Sequence, residues 1–478
     1  MTLFRRATNG TKVPPRPGTH AGRVSLIFSR KPVQGLLVVV GLAALYAAGL
    51  GIRSLNQPAD PTTATKQSIS PLGQLVLSRA STADAITALQ QQLHESPNDP
   101  KRLTLLAQEY IQQIRENGDP GNYTRADKTL QKAYKLNPKN ADVLLTMADL
   151  QFARHLFKDS LNLGMRAQAL NPYQAAIYGV IGDSQAELGL DDQAIVSYQK
   201  MVDTRPDLGS YSRISYAREL HGDIPGAISA MQQAVRAGGP NAENTAWTEV
   251  YLGNLYLNYT GDLDSATRSY RQALATFPSY VHGLAGMAAV SALRGDQDQA
   301  IEQYKHVVEI MPLPQYLIAL GDLYKKAGRG TEADNTYQLV RTEEKLYQAN
   351  GVDMDLDIAL FDADHGLDLK QGLERAQQAM KDRPSTTSAD VLAWTLFKSG
   401  KFQEATSMEQ QALRLGSKNA LFLFHEGMIE SALGEKQTAI DYLQRSLQTN
   451  AAASNQPYFD VLYGDTARAE LVKLQGGQ

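Results

Sequence analysis

Hydrophobic positions recur with the helical period from about residue 100 onward, in segments of roughly 10–16 residues that short turns separate. Spacings of three and four residues place these positions on one face of each helix, and that face must be buried against another helix. We find no convincing alternation of the kind that indicates a strand. The pattern therefore predicts an all-α fold built from antiparallel helix pairs.

Three kinds of residue recur along this region at nearly constant intervals. Prolines stand 34, 34, 34, 38 and 34 residues apart, at Pro138, Pro172, Pro206, Pro240, Pro278 and Pro312. Turn glycines stand 33, 39, 34 and 33 residues apart, at Gly189, Gly222, Gly261, Gly295 and Gly328. An alanine lies five residues after each glycine, at Ala194, Ala227, Ala266, Ala300 and Ala333. The same spacing returns at Gly400 and Gly434 and at Ala405 and Ala439.

Each of these recurring residues has a structural reason. Glycine can end the first helix of a pair in the left-handed conformation without a Cβ clash. Alanine allows the second helix to approach the first closely, and proline stops the second helix because it lacks a backbone donor. Tyrosines four residues after the alanine are expected to fill the space between neighbouring pairs, at Tyr198, Tyr270, Tyr304 and Tyr337.

The period and these positions resemble the tetratricopeptide repeat family. The copies that match best read Tyr178, Ile181, Gly182, Gly189, Ala194, Tyr198, Pro206; Leu252, Gly253, Tyr256, Gly261, Ala266, Tyr270, Ala273, Pro278; and Leu320, Gly321, Tyr324, Gly328, Ala333, Tyr337. The resemblance covers residues 98–453 in about ten units and is weakest at 100–138 and 352–384. It implies a right-handed superhelical solenoid whose concave face binds a peptide or helix of a partner protein, without catalysis.

Residues 33–52 (VQGLLVVVGLAALYAAGLGI) carry no charge. As a helix they would span about 30 Å, the thickness of the hydrocarbon core of a bilayer. Seven basic residues and no acidic residue precede this segment, which predicts that residues 1–32 are cytoplasmic and that the body lies outside the cytoplasm. The alternative is a signal peptide that is cleaved near Ala47 and Ala48.

These observations predict six regions in the chain. They are a basic cytoplasmic tail (1–32), a transmembrane helix (33–52), a linker rich in Pro, Ser and Thr (53–75), two parts of the repeat array (76–350 and 351–453) and a C-terminal capping helix (454–478). The two parts of the array meet where residues 341–356 interrupt the repeat.

In tetratricopeptide repeats the first helix of each unit lines the groove, so the resemblance implies a set of groove residues. Transferred to this sequence, they are Asp183, Glu187, Tyr216, Glu219, Trp247, Asn254, Asn258, His282, Gln315, Asp322, Lys325 and Lys326. The alternative for Trp247 is a residue that packs between helices. The alternative for Asn254 and Asn258 is that their side chains are only solvated. Val250 stands where a carboxylate clamp needs a lysine, so a basic or amphipathic protein ligand fits better.

The sequence offers little for catalysis, cofactors or nucleic acids. It contains no cysteine, no His-Glu-x-x-His motif, no phosphate-binding glycine loop and no nucleophile elbow. Asp362, Asp364 and His365 cluster in sequence, but we expect them to diverge at a helix end. Beyond the basic tail the chain has 40 basic and 50 acidic residues, which disfavours binding to a phosphate backbone.

We therefore expect a membrane-anchored scaffold, not an enzyme, that binds partner proteins or peptides outside the cytoplasm, in a bacterial periplasm or at a cell surface. We expect no metal, cofactor, nucleic acid or small-molecule substrate. The alternatives are a secreted soluble binding protein and an accessory subunit of an envelope enzyme or export machine.

Overall fold

A computed structural model describes residues 81–239, 241–416, 418–448 and 463–476, all of which belong to one contact unit of the chain. These residues form 22 α-helices, and none of them lies in a β-strand. The all-α prediction is therefore confirmed for the described part of the chain. The predicted tail, transmembrane helix and linker lie outside the described residues, and no described helix is both long and apolar enough to cross a bilayer.

The first twelve helices, numbered in chain order, cover the N-terminal half of the array. They are α1 (Thr82–Glu95), α2 (Pro100–Asn117), α3 (Gly121–Leu136), α4 (Ala141–Ala153), α5 (Phe157–Leu170), α6 (Ala175–Glu187), α7 (Asp191–Thr204), α8 (Leu208–Leu220), α9 (Ile224–Ala237), α10 (Ala242–Leu255), α11 (Leu263–Thr276) and α12 (Val281–Leu293).

The other ten helices cover the C-terminal half. They are α13 (Gln297–Ile310), α14 (Pro314–Lys326), α15 (Gly330–Ala349), α16 (Asp355–His365), α17 (Leu369–Asp382), α18 (Thr386–Lys398), α19 (Phe402–Ala412), α20 (Ala420–Leu433), α21 (Lys436–Gln448) and α22 (Asp465–Gly476).

Helices α2 to α21 pack as ten successive pairs, from the first pair (α2 and α3) to the tenth (α20 and α21). The turns inside the pairs carry glycines with positive φ, such as Gly189 at 67° and Gly295 at 84°. This confirms the role predicted for the recurring glycines, because a Cβ disfavours the left-handed conformation. The second helices end two or three residues before each recurring proline, as at Leu136 and Leu170.

The recurring alanines and tyrosines lie in the core, as their spacing predicts. Ala227, Ala266 and Ala300 are completely buried on the second helices. Tyr198 and Tyr270 are likewise among the largest fully buried side chains. Close approach of the two helices therefore depends on small residues at these positions, and the tyrosine rings fill the space that remains.

Two departures from the regular repeat have a local cause. The long interval between Gly222 and Gly261 arises because α10 continues into a π-helical turn, Tyr256–Thr260. Residues 341–349, expected to interrupt the array, continue the 20-residue helix α15, and a short turn then leads into α16. At the C-terminus α22 packs against α20 and α21.

Candidate functional site

The twelve predicted groove residues lie on the first helices of the third to seventh pairs and in the π-helical turn. Seven of them are buried: Asp183, Glu187, Tyr216, Glu219, Trp247, Asn258 and Asp322. Three are half-buried: Asn254, His282 and Gln315. Lys325 and Lys326 are exposed. Whether these residues bind a partner stays a prediction, but most of them do not present their side chains to solvent.

Many of these residues instead connect one helix pair to the next. A side-chain hydrogen bond or ion pair joins the first helices, or their N-caps, at each of the nine junctions between the ten pairs. We call this series the polar ladder. Its contacts are Gln108–Thr146 (3.0 Å), Asp142–Gln174 (3.1 Å), Asp183–Arg213 (2.6 Å), Glu219–Tyr251, Glu243–Tyr280 (2.9 Å), His282–Tyr316 (2.5 Å), Asp322–His365 (2.8 Å), Asp364–Trp394 (2.8 Å) and Asp390–His425 (2.8 Å).

The repeat itself explains the polar ladder. Residues one period apart occupy equivalent positions on neighbouring first helices, so their side chains lie side by side. The two members of the sixth and ninth contacts, for instance, are 34 and 35 residues apart. Polar residues that a single unit leaves unpaired therefore find partners in the next unit. The spacing of about one repeat between such partners is present in the sequence, but it is found only when neighbouring units are compared.

The contact between Asp183 and Arg213 is a fully buried ion pair. The Arg213 guanidinium donates from Nε and Nη2 to both carboxylate oxygens of Asp183, at 2.6–3.0 Å, and from Nη1 to the carbonyl of Gly209 at 3.0 Å. The side chains of Asp183 and Arg213 are 0% and 2% exposed. Paired donors on both oxygens are what makes burial of these charges tolerable.

The next contact places a carboxyl group between two phenols. Tyr251 donates to one oxygen of Glu219, and Tyr259, in the π-helical turn, donates to the other at 3.0 Å. Burial raises the pKa of Glu219 to about 8, although both phenol hydrogen bonds act in the opposite direction. Burial likewise raises the pKa of Glu187, here to about 7.

Early and late helix pairs also contact each other directly. Gln112, on α2, donates to Glu243, on α10, at 3.2 Å. His155, between α4 and α5, lies with its Nδ1 2.7 Å from the carbonyl oxygen of Asp353. Further along, Arg414 pairs with Asp191. These contacts join early helix pairs to late ones, and the polar ladder gives buried partners to four of the predicted groove residues, Asp183, Glu219, His282 and Asp322.

The sequence cluster Asp362, Asp364 and His365 is divided among different neighbours, as expected. Asp362 pairs with Arg341, and Asp364 accepts hydrogen bonds from Trp394 and Tyr463. His365 bonds to Asp322 at 2.8 Å. The three side chains therefore do not converge on one point.

A different group does converge. Asp390 on α18, Glu409 on α19 and His425 on α20 each bring a possible ligand atom within 4.8 Å of those of the other two. All three residues are completely buried. Sequence analysis missed this group because its members come from three helices of two pairs. Among the described residues no other set of three His, Asp or Glu side chains meets this geometry.

Comparison with known proteins supports the repeat assignment over a limited part of the chain. Residues 391–457 match the tetratricopeptide repeat family. No curated protein matches the sequence.

Several solved structures share weak similarity with the chain. A tetratricopeptide repeat protein from Parabacteroides merdae is 17% identical, covering 59% of this chain and 99% of its own, with a TM-score of 0.33. Yeast Tom70 is 14% identical to this chain. The match covers 82% of this chain and 93% of the Tom70 chain, with a TM-score of 0.35. A chain of the APC/C hetero-tetramer Cut9–Hcn1 is 16% identical. The match covers 84% of this chain and 68% of that chain, with a TM-score of 0.37.

Proposed function

We propose that this repeat protein of the tetratricopeptide type is a membrane-anchored scaffold that binds partner proteins outside the cytoplasm. The observation that carries this proposal is the stack of ten helix pairs, an architecture that offers a large surface for binding. Repeat arrays of this type are generally protein-interaction scaffolds. A membrane anchor would raise the effective concentration of whatever the array binds at the bilayer.

The second helices of the pairs, and the turns that follow them, provide the exposed apolar side chains that such binding needs. Met165 on α5 and Val196 on α7 are 56% and 68% exposed, and Tyr173, between α5 and α6, is 86% exposed. Large apolar side chains in solvent mark candidate contact positions, and aromatic residues often dominate binding energy. Because most predicted groove residues are buried, we place the first contact with a partner on these second helices and turns. Lys325 and Lys326 are the exposed alternative.

The anchoring part of the proposal rests on residues 33–52 and on the basic residues before them. An uncharged segment of this length favours a spanning helix, and the charge bias favours an array outside the cytoplasm. The compartment that we propose is a bacterial periplasm or a cell surface.

Membrane anchoring can be tested by washing membranes that contain the full chain at alkaline pH. We expect the protein to stay in the pellet, and a Val39→Arg, Leu42→Arg double variant to be released, because arginine is costly at the bilayer centre. Mass spectrometry of the mature N-terminus gives the second measurement. An N-terminus near Gly49, together with release of the unaltered chain, would identify a secreted binding protein instead.

Partner binding can be tested with a photo-crosslinking amino acid introduced in cells at Tyr173, with matched insertions at Lys325 and Glu309. Glu309 is a suitable control because its side chain is 71% exposed and lies on a second helix, α13, away from Tyr173 in the sequence. We expect a discrete crosslinked protein at position 173 and none at 309. Crosslinks only at position 325 would move the binding surface to the predicted groove, and no crosslink at any of the positions would contradict the scaffold proposal.

A further inference from the structure

The ninth contact of the polar ladder differs from the other eight because a third possible metal ligand, Glu409, lies beside it. Nδ1 of His425 lies 2.8 Å from Oδ1 of Asp390, which links the tenth pair to the ninth. Glu409, from the second helix of the ninth pair, approaches the same point. Two carboxyl groups and one imidazole therefore meet where solvent does not reach, since all three residues are 0% exposed.

Most carboxyl oxygens in this group have no donor. Oδ2 of Asp390 and both oxygens of Glu409 are buried without a hydrogen-bond partner. Nδ1 is the nitrogen of His425 that faces Asp390, and Nε2, which points away from it, is also without a partner. Glu409 is the one carboxyl group in the described residues for which both buried oxygens lack a partner. The carboxyl groups of Asp390 and Glu409 are close enough to share a hydrogen bond, but that bond exists only if one of the two carries a proton. Buried polar atoms are nearly always paired in native proteins, so an unfilled set of this size requires an explanation.

At other contacts of the polar ladder, both oxygens of a buried carboxyl group accept hydrogen bonds. Asp183 receives donors on both oxygens from Arg213, and Glu219 receives one phenol on each oxygen. Among the residues that the structure describes, no arginine, lysine or tyrosine takes this role at Glu409. What is missing at this junction is positive charge between the two carboxyl groups.

The donor set selects a class of cation. We propose that Asp390, Glu409 and His425 bind one divalent transition-metal ion, for which Zn²⁺ and Mn²⁺ are the probes, and that the ion joins the ninth helix pair to the tenth. One neutral imidazole and two carboxylates balance a charge of two. Zinc bonds to imidazole nitrogen and carboxylate oxygen at about 2.0–2.2 Å, so ligand atoms within 4.8 Å of one another need only small side-chain shifts. If Glu409 binds through both oxygens, the three residues supply four donor atoms.

The surroundings favour a transition metal over Ca²⁺ or Mg²⁺. Ca²⁺ takes six to eight oxygen ligands and Mg²⁺ keeps several waters, and neither requirement suits a completely buried group that includes an imidazole. The indole of Trp394 stacks on the imidazole of His425, with ring centroids 4.1 Å apart and an interplanar angle of 12°. This stacking fixes the ring plane and covers one face of the imidazole. The site is therefore closed, which fits a structural ion that enters as the pairs fold together.

The test uses the full-length chain without a histidine tag, purified in detergent and dialysed against metal-free buffer. We expect elemental analysis to find about one zinc or manganese ion per chain. After refolding in the presence of a chelator, addition of Zn²⁺ or Mn²⁺ is expected to raise the melting temperature, whereas Mg²⁺ and Ca²⁺ leave it unchanged.

Three variants and a matched control make the assignment specific. Asp390→Asn, Glu409→Gln and His425→Gln should each lose the bound ion and the metal-dependent rise in melting temperature. His365→Gln is the control, because His365 is also buried and bonded to an aspartate at 2.8 Å but has no third ligand. This variant can be less stable, yet it should retain the ion and the response to metal.

Glu409→Gln also separates metal binding from the alternative, a proton shared between Glu409 and Asp390. Without a cation, this substitution removes a buried like-charge repulsion, so the metal-free chain should melt at the same or a higher temperature. With zinc present, the variant should melt below the unaltered chain. A chain that purifies without metal, does not respond to Zn²⁺ or Mn²⁺ and has a Glu409→Gln variant of equal stability would overturn the proposal in favour of the shared proton.

Discussion

Tyr270 packs the edge of its ring against the backbone of Gly253, so closely that a Cβ at Gly253 would lie 2.5 Å from Cε1 of the tyrosine. Gly286, on the first helix of the next pair, makes the same close approach to this ring. One tyrosine therefore fills a space formed by two glycines on neighbouring pairs. Tyr198 with Gly182 and Tyr337 with Gly321 repeat the close approach inside a pair. At these positions the tyrosine ring fills the space that a glycine leaves open.

This arrangement predicts that Gly253→Ala destabilises the array. The added methyl group cannot be accommodated without moving Tyr270, which is completely buried, so we expect a loss of about 1–3 kcal/mol in the free energy of unfolding. Urea unfolding followed by circular dichroism measures the change.

Gly330→Ala is the matched control, because a Cβ at Gly330 meets no atom within 4 Å and the residue begins helix α15. Alanine favours helix, so this variant should be as stable as the unaltered chain or slightly more stable. Equal losses in the two variants would show that the loss does not come from the contact with Tyr270.

The sequence predicted local features well, because each depends on residues within one or two repeats. Glycines with positive φ, buried alanines and tyrosines in the seam all follow from steric requirements that a period of 34 residues makes visible. The length of α10 did not follow in this way. Its π-helical turn has no marker in the spacing except the one long interval between Gly222 and Gly261.

Contacts between early and late pairs could not be predicted, because they depend on a small rotation that accumulates from pair to pair. His155 shows the difficulty. It occupies the turn position where other pairs have glycine, with φ at 62°, and its ring reaches the carbonyl of Asp353. The contact joins the second pair to the turn before the eighth, 198 residues away in the sequence.

Gly189 provides a test of these long-range contacts. A Cβ on this residue would lie 2.3 Å from the carbonyl oxygen of Pro384, which belongs to the turn before the ninth pair. Gly189→Ala should therefore separate the third pair from this turn, and hydrogen exchange should increase in the backbone around residues 383–388 and near Asp191.

Gly328→Ala controls for backbone strain, since φ at Gly328 is 73° and a Cβ there meets no atom within 4 Å. Both variants carry the left-handed strain of about 1–2 kcal/mol. Only Gly189→Ala should exceed this loss and change exchange in the distant turn. If both variants lose the same stability and exchange alike, the contact with Pro384 does not hold the two regions together.

The buried ion pair of the polar ladder predicts a large effect for Asp183→Asn. The substitution leaves the Arg213 guanidinium without a counter-charge in the core, and breaking such a pair costs about 3–5 kcal/mol. Urea unfolding should show this loss, whereas Asp264→Asn, at an exposed pair with Arg294, should change stability by about 1 kcal/mol or less. A double variant, Asp183→Leu with Arg213→Met, should recover part of the loss because no charge is left unpaired. Full stability in Asp183→Asn would contradict the pairing.

Glu219 predicts how stability depends on pH. Its pKa is about 8 in the folded chain and lies near the ordinary value of 4.5 when unfolding exposes it. Between these two values the folded state holds a proton that the unfolded state has released, so raising the pH stabilises the unfolded state. The contribution of Glu219 is therefore fully favourable below about pH 4.5 and is lost as the pH rises to about 8, with a slope of at most about 1.4 kcal/mol per pH unit.

Glu219→Gln should remove this dependence. Glutamine keeps a carbonyl oxygen that can accept from Tyr251 or Tyr259 but never becomes charged, so the variant should be more stable than the unaltered chain at pH 9 and differ least at pH 4.5. Unfolding free energies measured from pH 4.5 to pH 9 give the comparison, and Glu302→Gln, whose carboxylate is 67% exposed, is the control. Part of the slope should persist in Glu219→Gln, because burial also raises the pKa of Glu187 to about 7 and that of Glu426 to about 8, and raises the pKa of Asp149. Adding Glu187→Gln should reduce the slope further. Parallel curves for the unaltered chain and Glu219→Gln would mean that this carboxyl group is ionised in the folded array.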